Sequence, residues 1–394
     1  MVTTIPQTPN TPIQSVLIVG NYCHDVLLQG GAVVAETLGG AASFISNVLT
    51  GLSVSFHLTS KVGVDFKYPV NHDPIVVPTS KTTVFHAYFN QGYSENAHQD
   101  RVLKRVEVCD PINPSDLPDR KFDFGMAVGV GGEILPETLE RMVEICDAVF
   151  VDIQALIRAF DENGTVRLLR LKESGFYHLL PRLKFLKASS DEALFMEVEE
   201  VRLWCCVVVT HGKDGCEVYW KDGEMKIAPF GANQIDPTGA GDSFLGGFVG
   251  GLVHGLVVPD AALVGNFFGS LTVAHIGLPK FDLRLLQHKC MLSNILRGSE
   301  LCGSLCWKLG RIKEEVQTRK VQGTCWLERR DDEVSFTKPA GHDEFHASLS
   351  SSKLVSAECR RDLSRSPGSV EQVNRPQYKG QQKFLLNSVY DKSN

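Results

Sequence analysis

Short apolar runs alternate with helix-length segments between residues 122 and 210, and this alternation limits the possible folds more than any other feature of the sequence. Continuous apolar runs of this length are typical of strands that are buried on both faces. The predicted strands are Phe122–Val128, Ala148–Ile153, Phe185–Ala188 and Cys205–Thr210, and the predicted helices are Leu135–Cys146 and Ser190–Glu197. The pattern predicts an α/β fold, a doubly wound and mainly parallel sheet flanked by helices, with right-handed crossovers.

The segment before this alternation begins with another predicted strand. Ser15–Gly20 is a continuous apolar run that ends in glycine, and the polar residues of Asn21–Asp25 follow it directly. Ligands of open α/β sheets bind at the carboxyl ends of the strands, so these polar residues are candidates for a binding site. The small residues of Leu38–Ser43 open a predicted helix over Ser43–Leu52, and a strand is predicted over Val54–Thr59.

Residues 82–109 have a different pattern. Apolar and polar side chains alternate along Thr83–Phe89, polar residues follow, and a second strand-like run covers Val102–Val108. Alternation with a period of two residues predicts strand, turn and strand, without a helix between them. We expect a small antiparallel sheet that projects from the main sheet and acts as a lid.

The C-terminal part of the α/β pattern adds a hairpin and two helices. Cys216–Tyr219 and Met225–Ala228 are joined through Lys221-Asp222-Gly223, and Asp-Gly is a strong signal for a two-residue turn. The apolar runs Leu245–Leu256 and Pro259–Ile276 predict the two helices.

The change of pattern along the chain predicts three segments. Residues 1–14 are rich in Thr and Pro and predict a flexible N-terminus. Residues 15–286 form the predicted α/β domain, with the lid strands mainly within 82–109. Residues 287–394 lose the periodicity and become rich in Ser, Arg and Gln near their end, so we predict an irregular, largely disordered C-terminal extension.

Composition and charge exclude several classes of partner. The chain has 394 residues, of which 43% are hydrophobic and 22% charged, and this balance is that of a soluble globular protein. A formal net charge of -6 and a pI of about 6.1 leave no basic surface for nucleic acid or an anionic membrane. The apolar run Ser243–Val258 is too short and too rich in glycine to predict a membrane span. We expect neither nucleic acid nor a membrane as a partner.

The termini and the cysteines predict a cytoplasmic protein. Residues 1–14 carry no charged side chain and no apolar run of the kind that signal peptides contain. The 11 cysteines are an odd number without Cys-x-x-Cys spacing, which favours reduced thiols over disulfides. Cys302, Cys306 and Cys325 do not supply the two pairs that a zinc site needs.

The stretch Asn233–Phe244 has the residue types of an anion-binding turn. Asp236-Pro237 favours a turn, and Gly239 and Gly241 remove side-chain bulk just before an apolar helix. The first amides of a helix have no partner within the helix, so they can bind a phosphoryl group. Asp242 would then lie where a base could take a proton from an attacking hydroxyl. An ordinary strand-to-helix turn with an N-capping aspartate is the alternative for the same residues.

Four motifs together resemble the ribokinase-like, or pfkB, family of carbohydrate kinases. They are Gly20–Asp25, Leu38-Gly39-Gly40, Thr210–Gly215 and Asp236–Phe244. The last motif is close to the carboxy-terminal signature of the family, and the resemblance covers roughly residues 14 to 286. It implies the ribokinase-like fold with a small projecting β-sheet lid. Within the family, the runs Leu38–Asn47 and Lys187–Glu192 are similar to the plant myo-inositol 3-kinase branch.

The resemblance implies roles for residues on the phosphate side of an active site. Asp242 matches the catalytic base, and the amides of the three preceding residues match an anion hole. The implied nucleotide-binding residues are Ser189, Thr210, Gly212, Gly239, Ala240, Gly241, Asp242 and Asn266. For Asn266, a structural hydrogen bond within the fold is an equal alternative. Glu192 matches a residue that acts on magnesium through water, and Ser189 stands where the family pattern Asn-x-x-Glu has asparagine.

The resemblance also implies a substrate side. Asp25 matches the substrate-binding aspartate, and a carboxylate can accept hydrogen bonds from two neighbouring hydroxyls of a polyol. A capping role after the strand is the alternative for Asp25. Gly39 and Gly40 belong to the family motif Gly-Gly-x-x-x-Asn, but this chain has Phe44 at the asparagine position, and the nearest asparagine is Asn47. This departure favours a substrate other than ribose.

The implied activity is the ATP-dependent phosphorylation of a hydroxyl of a small polyol, with Mg²⁺ and with myo-inositol as the favoured acceptor. Ribose, fructose or adenosine is the alternative acceptor, and a non-catalytic kinase-like assembly subunit is the alternative to an enzyme. A dinucleotide-binding oxidoreductase is disfavoured because no Gly-x-x-Gly follows Gly20. A requirement for a monovalent cation is left open, as is the choice between a monomer and a homodimer formed through the lid.

Overall fold

The computed structural model describes residues 15–89 and 102–281 with their side chains, and the backbone of Arg101 and of two strands within 327–336. The predictions for 1–14 and for the rest of 287–394 lie outside the described residues. In chain order the strands are β1 (Val16–Val19), β2 (Cys23–Gln29), β3 (Ala32–Gly39), β4 (Phe56–Thr59), β5 (Lys61–Gly63), β6 (Ile75–Val77), β7 (Thr83–Phe89), β8 (Arg101–Glu107), β9 (Phe122–Ala127), β10 (Cys146–Asp152), β11 (Arg158–Phe160), β12 (Val166–Leu168), β13 (Phe185–Ser189), β14 (Cys206–Thr210), β15 (Cys216–Trp220), β16 (Gly223–Ile227), β17 (Leu327–Arg330) and β18 (Glu333–Phe336).

The α-helices vary from one turn to about four turns in length. They are α1 (Ala41–Gly51), α2 (Pro136–Ile145), α3 (Gln154–Ile157), α4 (Ser190–Ala193), α5 (Val198–Val201), α6 (Ala240–Val253) and α7 (Val258–Thr272). Short 3₁₀ segments lie at Pro114–Asp116, Leu171–Glu173, Tyr177–Arg182 and Gly212–Asp214. Within the two long described stretches, no helix is long and apolar enough to cross a membrane.

An eight-stranded sheet forms the centre of the fold, with the strand order β16-β15-β14-β13-β10-β9-β1-β4. The strands from β4 to β14 in this order pair in parallel, and the hairpin β15–β16 continues the sheet in antiparallel pairing. Each strand predicted for this sheet is present, with small shifts of its ends. The predicted fold class is therefore confirmed.

The two faces of this sheet bury two separate apolar clusters. Val16 and Ile18 of β1 point to the cluster that includes α1, α6 and α7. Leu17 and Val19 point to the other cluster, which includes α2 and the segment 176–183. Successive side chains of a strand point to opposite faces, so a strand that is apolar throughout must be covered on both sides.

The lid is a second sheet with the strand order β3-β2-β7-β8. The predicted strands β7 and β8 pair in antiparallel fashion, and so do β2 and β3. The central pair, β2 with β7, is parallel, because the chain leaves the lid after β3 and returns through α1 and β4. Strands β2 and β3 were not predicted from the pattern, although the Gly30-Gly31 turn between them is a hairpin signal. Both glycines have positive φ, 59° and 84°.

Two helix predictions differ from the structure. The predicted helix Ser190–Glu197 is helical only over α4, and α5 begins after its predicted end. The helix stops early because the chain turns at Phe195, whose carbonyl accepts a hydrogen bond from the Leu171 amide at 2.8 Å. The helix predicted from Leu245 starts instead at Ala240, since its first turn is polar and the apolar pattern does not show it.

Candidate active site

The first residue of the loop before α6, Asp236, stabilises the loop through a hydrogen bond. The Asp236 carboxylate accepts a hydrogen bond from the Thr238 amide at 2.9 Å, which closes a turn around Pro237. Gly239 follows with φ 76° and ψ 0°, a left-handed conformation that favours glycine, and it caps α6. The Ser243 amide donates to the Gly239 carbonyl at 2.8 Å, and this bond begins the helix. The sequence therefore builds a helix N-terminus whose first residues carry almost no side-chain bulk.

Asp242 lies in the first turn of α6, and a residue that follows strand β10 orients its side chain by a hydrogen bond. The Gln154 side chain donates from Nε2 to Asp242 Oδ1 at 3.1 Å. Gln154 is the first residue of α3, directly after β10, and 88 positions separate it from Asp242. Burial raises the pKa of Asp242, against the lowering effects of Lys187, Arg158 and the Gln154 hydrogen bond. The structure thus provides an oriented carboxylate with a raised proton affinity.

A buried ion pair lies next to this carboxylate. Asp152, the last residue of β10, and Lys187, in the middle of β13, are cross-strand partners, with Lys187 Nζ 2.9 Å from Asp152 Oδ2. Their side chains are 0% and 7% exposed, respectively. Burial alone would lower the pKa of Lys187, but the carboxylates of Asp152, Glu192 and Asp242 raise it to about 12. The Lys187 side chain therefore stays positively charged at neutral pH, although it is buried.

The Lys187 ammonium reaches the N-terminus of α6. A β-carbon added to Gly241 would lie 2.8 Å from Lys187 Nζ, so the glycine makes room for the cation. Arg158, the first residue of β11, is half-buried and acts electrostatically on both Asp242 and Glu192. Helix amides and an ammonium thus meet at one place, and the positive charge of Arg158 acts on the carboxylates beside it. This combination suits a transferring phosphoryl group.

Ser189 and Glu192 form a capping box at the N-terminus of α4. The Ser189 amide and hydroxyl both donate to Glu192 Oε2 at 2.9 Å, and the Glu192 amide donates back to the serine oxygen at 3.3 Å. Burial opposes ionisation of Glu192, but Lys187, Arg158 and these hydrogen bonds lower its pKa below the usual value. Oxygen Oε1 stays outside the cap, so the ionised group retains an acceptor.

A cavity of about 290 Å³ opens beside the N-terminus of α6. Five of the predicted nucleotide-binding residues line it: Thr210, Gly212, Ala240, Gly241 and Asn266. The Asn266 side-chain amide donates to the carbonyls of Ile227 and Ala228 at 3.3 and 2.9 Å, so this side chain also ties α7 to β16. Phe230, Phe244 and Val273 add apolar walls, and such a cavity suits a flat heterocycle.

The substrate side is built around Asp25 of β2 and the Gly39-Gly40 pair. A β-carbon at Gly39 would overlap the Asp25 carboxylate, so the glycine leaves the space that this side chain occupies. Gly40 caps α1 with φ 84°, and a β-carbon there would overlap the Asn21 carbonyl. The motif therefore holds a carboxylate and a helix N-terminus close together, at the carboxyl end of β1.

Asn47 has a partner that the sequence did not indicate. Its amide nitrogen donates to the Pro279 carbonyl at 2.8 Å, and this bond joins α1 to the segment after α7. A role of Asn47 in substrate binding stays a prediction. Phe44, at the asparagine position of the family motif, is 2% exposed and lies against Gly239.

Sequence reasoning missed four residues of the site: Asp152, Gln154, Arg158 and Lys187. A signal for two of them was present. Asp152 and Lys187 are charged residues within predicted buried strands, near the ends where ligands of α/β sheets bind. Charged side chains are rarely fully buried unless they are paired, so an ion pair between these strand ends was a reasonable expectation. In the described residues no three His, Cys, Asp or Glu side chains converge as a metal-ligand set.

Comparison with known proteins identifies the family. The model of the pfkB family carbohydrate kinases matches residues 156–280. The inositol 3-kinase of Arabidopsis thaliana is 61% identical over 344 residues, which are 87% of this chain and 88% of that protein. The inositol 3-kinase of Oryza sativa subsp. japonica is 47% identical, over 90% of this chain and 85% of that protein. The chain belongs to the pfkB family of carbohydrate kinases.

Solved structures agree on the fold of this kinase. A pyrophosphate-dependent kinase of the ribokinase family, solved with sulfate, superposes with a TM-score of 0.59 over 67% of this chain and 97% of that chain, at 17% identity. The predicted family, fold and enzyme class are confirmed. Membership implies ATP as co-substrate, a small-molecule acceptor and, as is typical of the family, a divalent cation.

Proposed function

We propose that the enzyme transfers the γ-phosphoryl group of ATP to a hydroxyl of myo-inositol and releases an inositol monophosphate. The observation that carries this proposal is the 61% identity to the Arabidopsis thaliana inositol 3-kinase across 87% of the chain. The site agrees with it, because a carboxylate that can bind a diol, Asp25, lies at the N-terminus of α1, and an oriented base, Asp242, lies at the N-terminus of the neighbouring helix α6.

Asp242 is the proposed base. Its raised pKa suits a group that must accept a proton from an alcohol, although the alcohol is far less acidic than any carboxyl group. Proton transfer is therefore late, after the bond between the hydroxyl oxygen and phosphorus has begun to form. The Gln154 side chain donates to Oδ1, so Oδ2 is the proposed proton acceptor.

The N-terminus of α6 is the proposed anion hole. The amides of Gly239, Ala240 and Gly241 supply donors, and Lys187 and Arg158 supply two positive charges near the same place. Preorganised donors and charges of this kind stabilise a transferring phosphoryl group without covalent chemistry. The Asp152 carboxylate keeps Lys187 in position while the ammonium faces the helix end.

The nucleotide is proposed to lie in the cavity beside α6, with its base between the apolar walls near Asn266. Pyrophosphate, the donor of the kinase found among the structural relatives, would leave this cavity unused, so the cavity favours ATP. Glu192 is the proposed residue that acts on magnesium through water, because its lowered pKa keeps the carboxylate ionised. Mg²⁺, when bound, would neutralise the charge of the phosphates.

Turnover with a panel of donors and acceptors tests this function. ADP or phosphate release is measured with ATP or pyrophosphate, against myo-inositol, ribose, fructose and adenosine. We expect ATP and myo-inositol to give the highest kcat/KM. Faster phosphorylation of another acceptor contradicts the substrate, and a folded sample that phosphorylates none of them supports the alternative of an assembly subunit.

Two substitutions separate the proposed roles. Asp242→Asn keeps the shape of the base but cannot accept the proton, so we expect kcat to fall by roughly 10²–10⁴ with ATP binding retained in calorimetry. Asp25→Asn weakens the acceptor contacts, so the KM for myo-inositol rises while the KM for ATP stays near its wild-type value. Equal rates for wild type and Asp242→Asn would exclude this residue as the base.

The cytoplasm remains the proposed location. All six cysteines within the described residues are free and buried, which suits a reducing compartment. The choice between a monomer and a homodimer through the lid remains a prediction from the sequence, as does a monovalent-cation requirement.

A further inference from the structure

Helix α1 packs against α6 along a line of glycines. A β-carbon at Gly246 would lie 3.0 Å from the Val48 side chain, and one at Gly250 would overlap the Leu52 side chain. These glycines let the two helices approach closely, so α1 cannot move along α6 without breaking the packing. The first contact in this line is the one between Phe44 and Gly239, and it lies at the proposed anion hole.

The Phe44 ring fills the space beside Gly239. A β-carbon at Gly239 would overlap three atoms of the ring, Cδ1, Cε1 and Cζ. Phe44 is only 2% exposed, so the ring contacts protein and not solvent. A direct role in substrate binding is therefore disfavoured, even though the family motif has its asparagine at this position.

We propose that Phe44 is a positioning residue for the anion hole, which it holds through its contact with Gly239. This inference rests on the proposed function, because it assigns a role to the amides of Gly239–Gly241 in phosphoryl transfer. Gly239 has no side chain and a left-handed conformation, so nothing of its own restrains it from that side. The edge of the Phe44 ring limits how closely the loop at Gly239 can approach α1.

The same helix connects the two sides of the site. Gly39 lies against the Asp25 carboxylate, Gly40 begins α1, and Phe44 follows within the next turn. A shift of Asp25 and its acceptor would therefore be transmitted through one helical turn to the loop that carries the anion hole. Phe44 stands where the family motif has asparagine, and its ring makes a packing contact between the acceptor side and the phosphate side of the site.

The test combines two single substitutions and their double mutant in the full chain. Phe44→Leu removes the outer ring atoms, and we expect kcat to fall about tenfold with little change in the KM for ATP, since small displacements of catalytic groups are costly. Gly239→Ala introduces the overlap and a strained conformation, and we expect a loss of about 10²–10³ in kcat. In the double mutant the smaller side chain relieves the overlap, so turnover should exceed that of Gly239→Ala alone.

A purely structural role would give a different result. Phe44→Met fills the same space with a flexible side chain, so we expect thermal stability close to wild type but a reduced kcat. Phe122→Leu is the matched control, because Phe122 is also 2% exposed and packs on the opposite face of the sheet. It should lower stability and leave kcat unchanged. If Phe44→Leu and Phe122→Leu reduce kcat equally, or if the double mutant is no better than Gly239→Ala, the proposal is wrong.

Hydrogen exchange decides the proposal independently of turnover. In the full chain we expect Phe44→Leu, but not Phe122→Leu, to increase exchange of the amides at 239–243. Unchanged exchange at these amides would overturn the positioning role. A wild-type enzyme that phosphorylates no polyol, together with increased exchange in Phe44→Leu, would instead mean that the contact is real and the proposed function is wrong.

Discussion

Asp242 and Gln154 form the contact that most directly controls the chemistry. Burial raises the pKa of Asp242, and the hydrogen bond from Gln154 lowers it by favouring the ionised carboxylate. The base works only when it is ionised, so activity rises with pH through the pKa that Asp242 has in the folded enzyme. The acid side of the pH profile should therefore lie above the range of an ordinary aspartate.

Removal of the Gln154 side chain should shift this profile. Gln154→Leu takes away a hydrogen bond to the ionised form, so the pKa of Asp242 rises further and the acid side of the kcat/KM profile moves to higher pH. Gln29→Leu, at the exposed end of β2, is the control and should leave the profile in place. A profile of Gln154→Leu that coincides with wild type would show that the hydrogen bond does not tune the base.

The ion pair of Asp152 and Lys187 should matter for stability as well as for phosphate binding. Lys187→Met leaves the Asp152 carboxylate buried without its partner, so we expect the free energy of unfolding to fall by about 3–5 kcal/mol. The double mutant Asp152→Asn, Lys187→Met contains no buried charge of this pair and should be more stable than Lys187→Met alone. Urea unfolding at neutral pH measures the differences.

A surface lysine provides the control for this measurement. Lys67 forms an ion pair with Glu36 at 2.8 Å, but the two side chains are 57% and 48% exposed. Lys67→Met should change the free energy of unfolding by no more than about 1 kcal/mol. An equal loss for Lys187→Met and Lys67→Met would contradict the importance assigned to the buried pair.

At the scale of elements, strand β8 ties the lid to the main domain. The Arg105 amide of β8 donates to the Gly164 carbonyl at 2.8 Å, and its guanidinium donates to the Gly131 carbonyl. The guanidinium carbon also lies 3.6 Å from the centre of the Phe160 ring. Phe160 shares β11 with Arg158, which acts on Asp242. The lid and the charged side of the site are therefore connected.

Loss of this connection should loosen the lid. Arg105→Ala removes the cation–π contact and the bond to Gly131, so we expect faster hydrogen exchange in β8 and β11 and a KM for the acceptor raised roughly tenfold, or about 1.4 kcal/mol. Lys104→Ala is the neighbouring control, because Lys104 lies over the Tyr88 ring on the other face of the lid. If Lys104→Ala raises the KM as much as Arg105→Ala, the effect belongs to the lid in general.

Local patterns predicted the elements but not their contacts. The loop with Gly239 and Asp242 was recognisable because its left-handed turn favours glycine. The main-sheet strands were recognisable because they are almost continuously apolar. Strands β2 and β3 were missed because buried and exposed side chains do not alternate along them, whereas they do along β7 in the same sheet. The contacts Gln154–Asp242 and Phe44–Gly239 join distant segments of the chain, and no local pattern encodes such a pairing.

At the scale of the whole molecule, every residue assigned to the site lies within 15–281. The end of this part packs against the rest of it. The Pro279 carbonyl accepts a hydrogen bond from Asn47, and the Phe281 ring packs edge-on against Phe268, with 5.0 Å between the ring centroids. The match to the Arabidopsis thaliana enzyme covers 87% of the chain, which is more than residues 1–286 can supply, so it includes part of the C-terminal extension. At least part of the extension is therefore shared with that relative.

Truncation of the extension tests whether catalysis depends on it. Because the base, the anion hole, the ion pair and the nucleotide cavity all precede residue 282, a chain that ends at Leu286 should fold and keep its KM values, with kcat within a few-fold of the full chain. Circular dichroism and thermal unfolding separate a folded but inactive truncation from an unfolded one. An unfolded product would show that the extension belongs to the α/β fold, and a folded product without turnover would show that it completes the active site. Either result would contradict the prediction that residues 15–286 are a sufficient kinase domain.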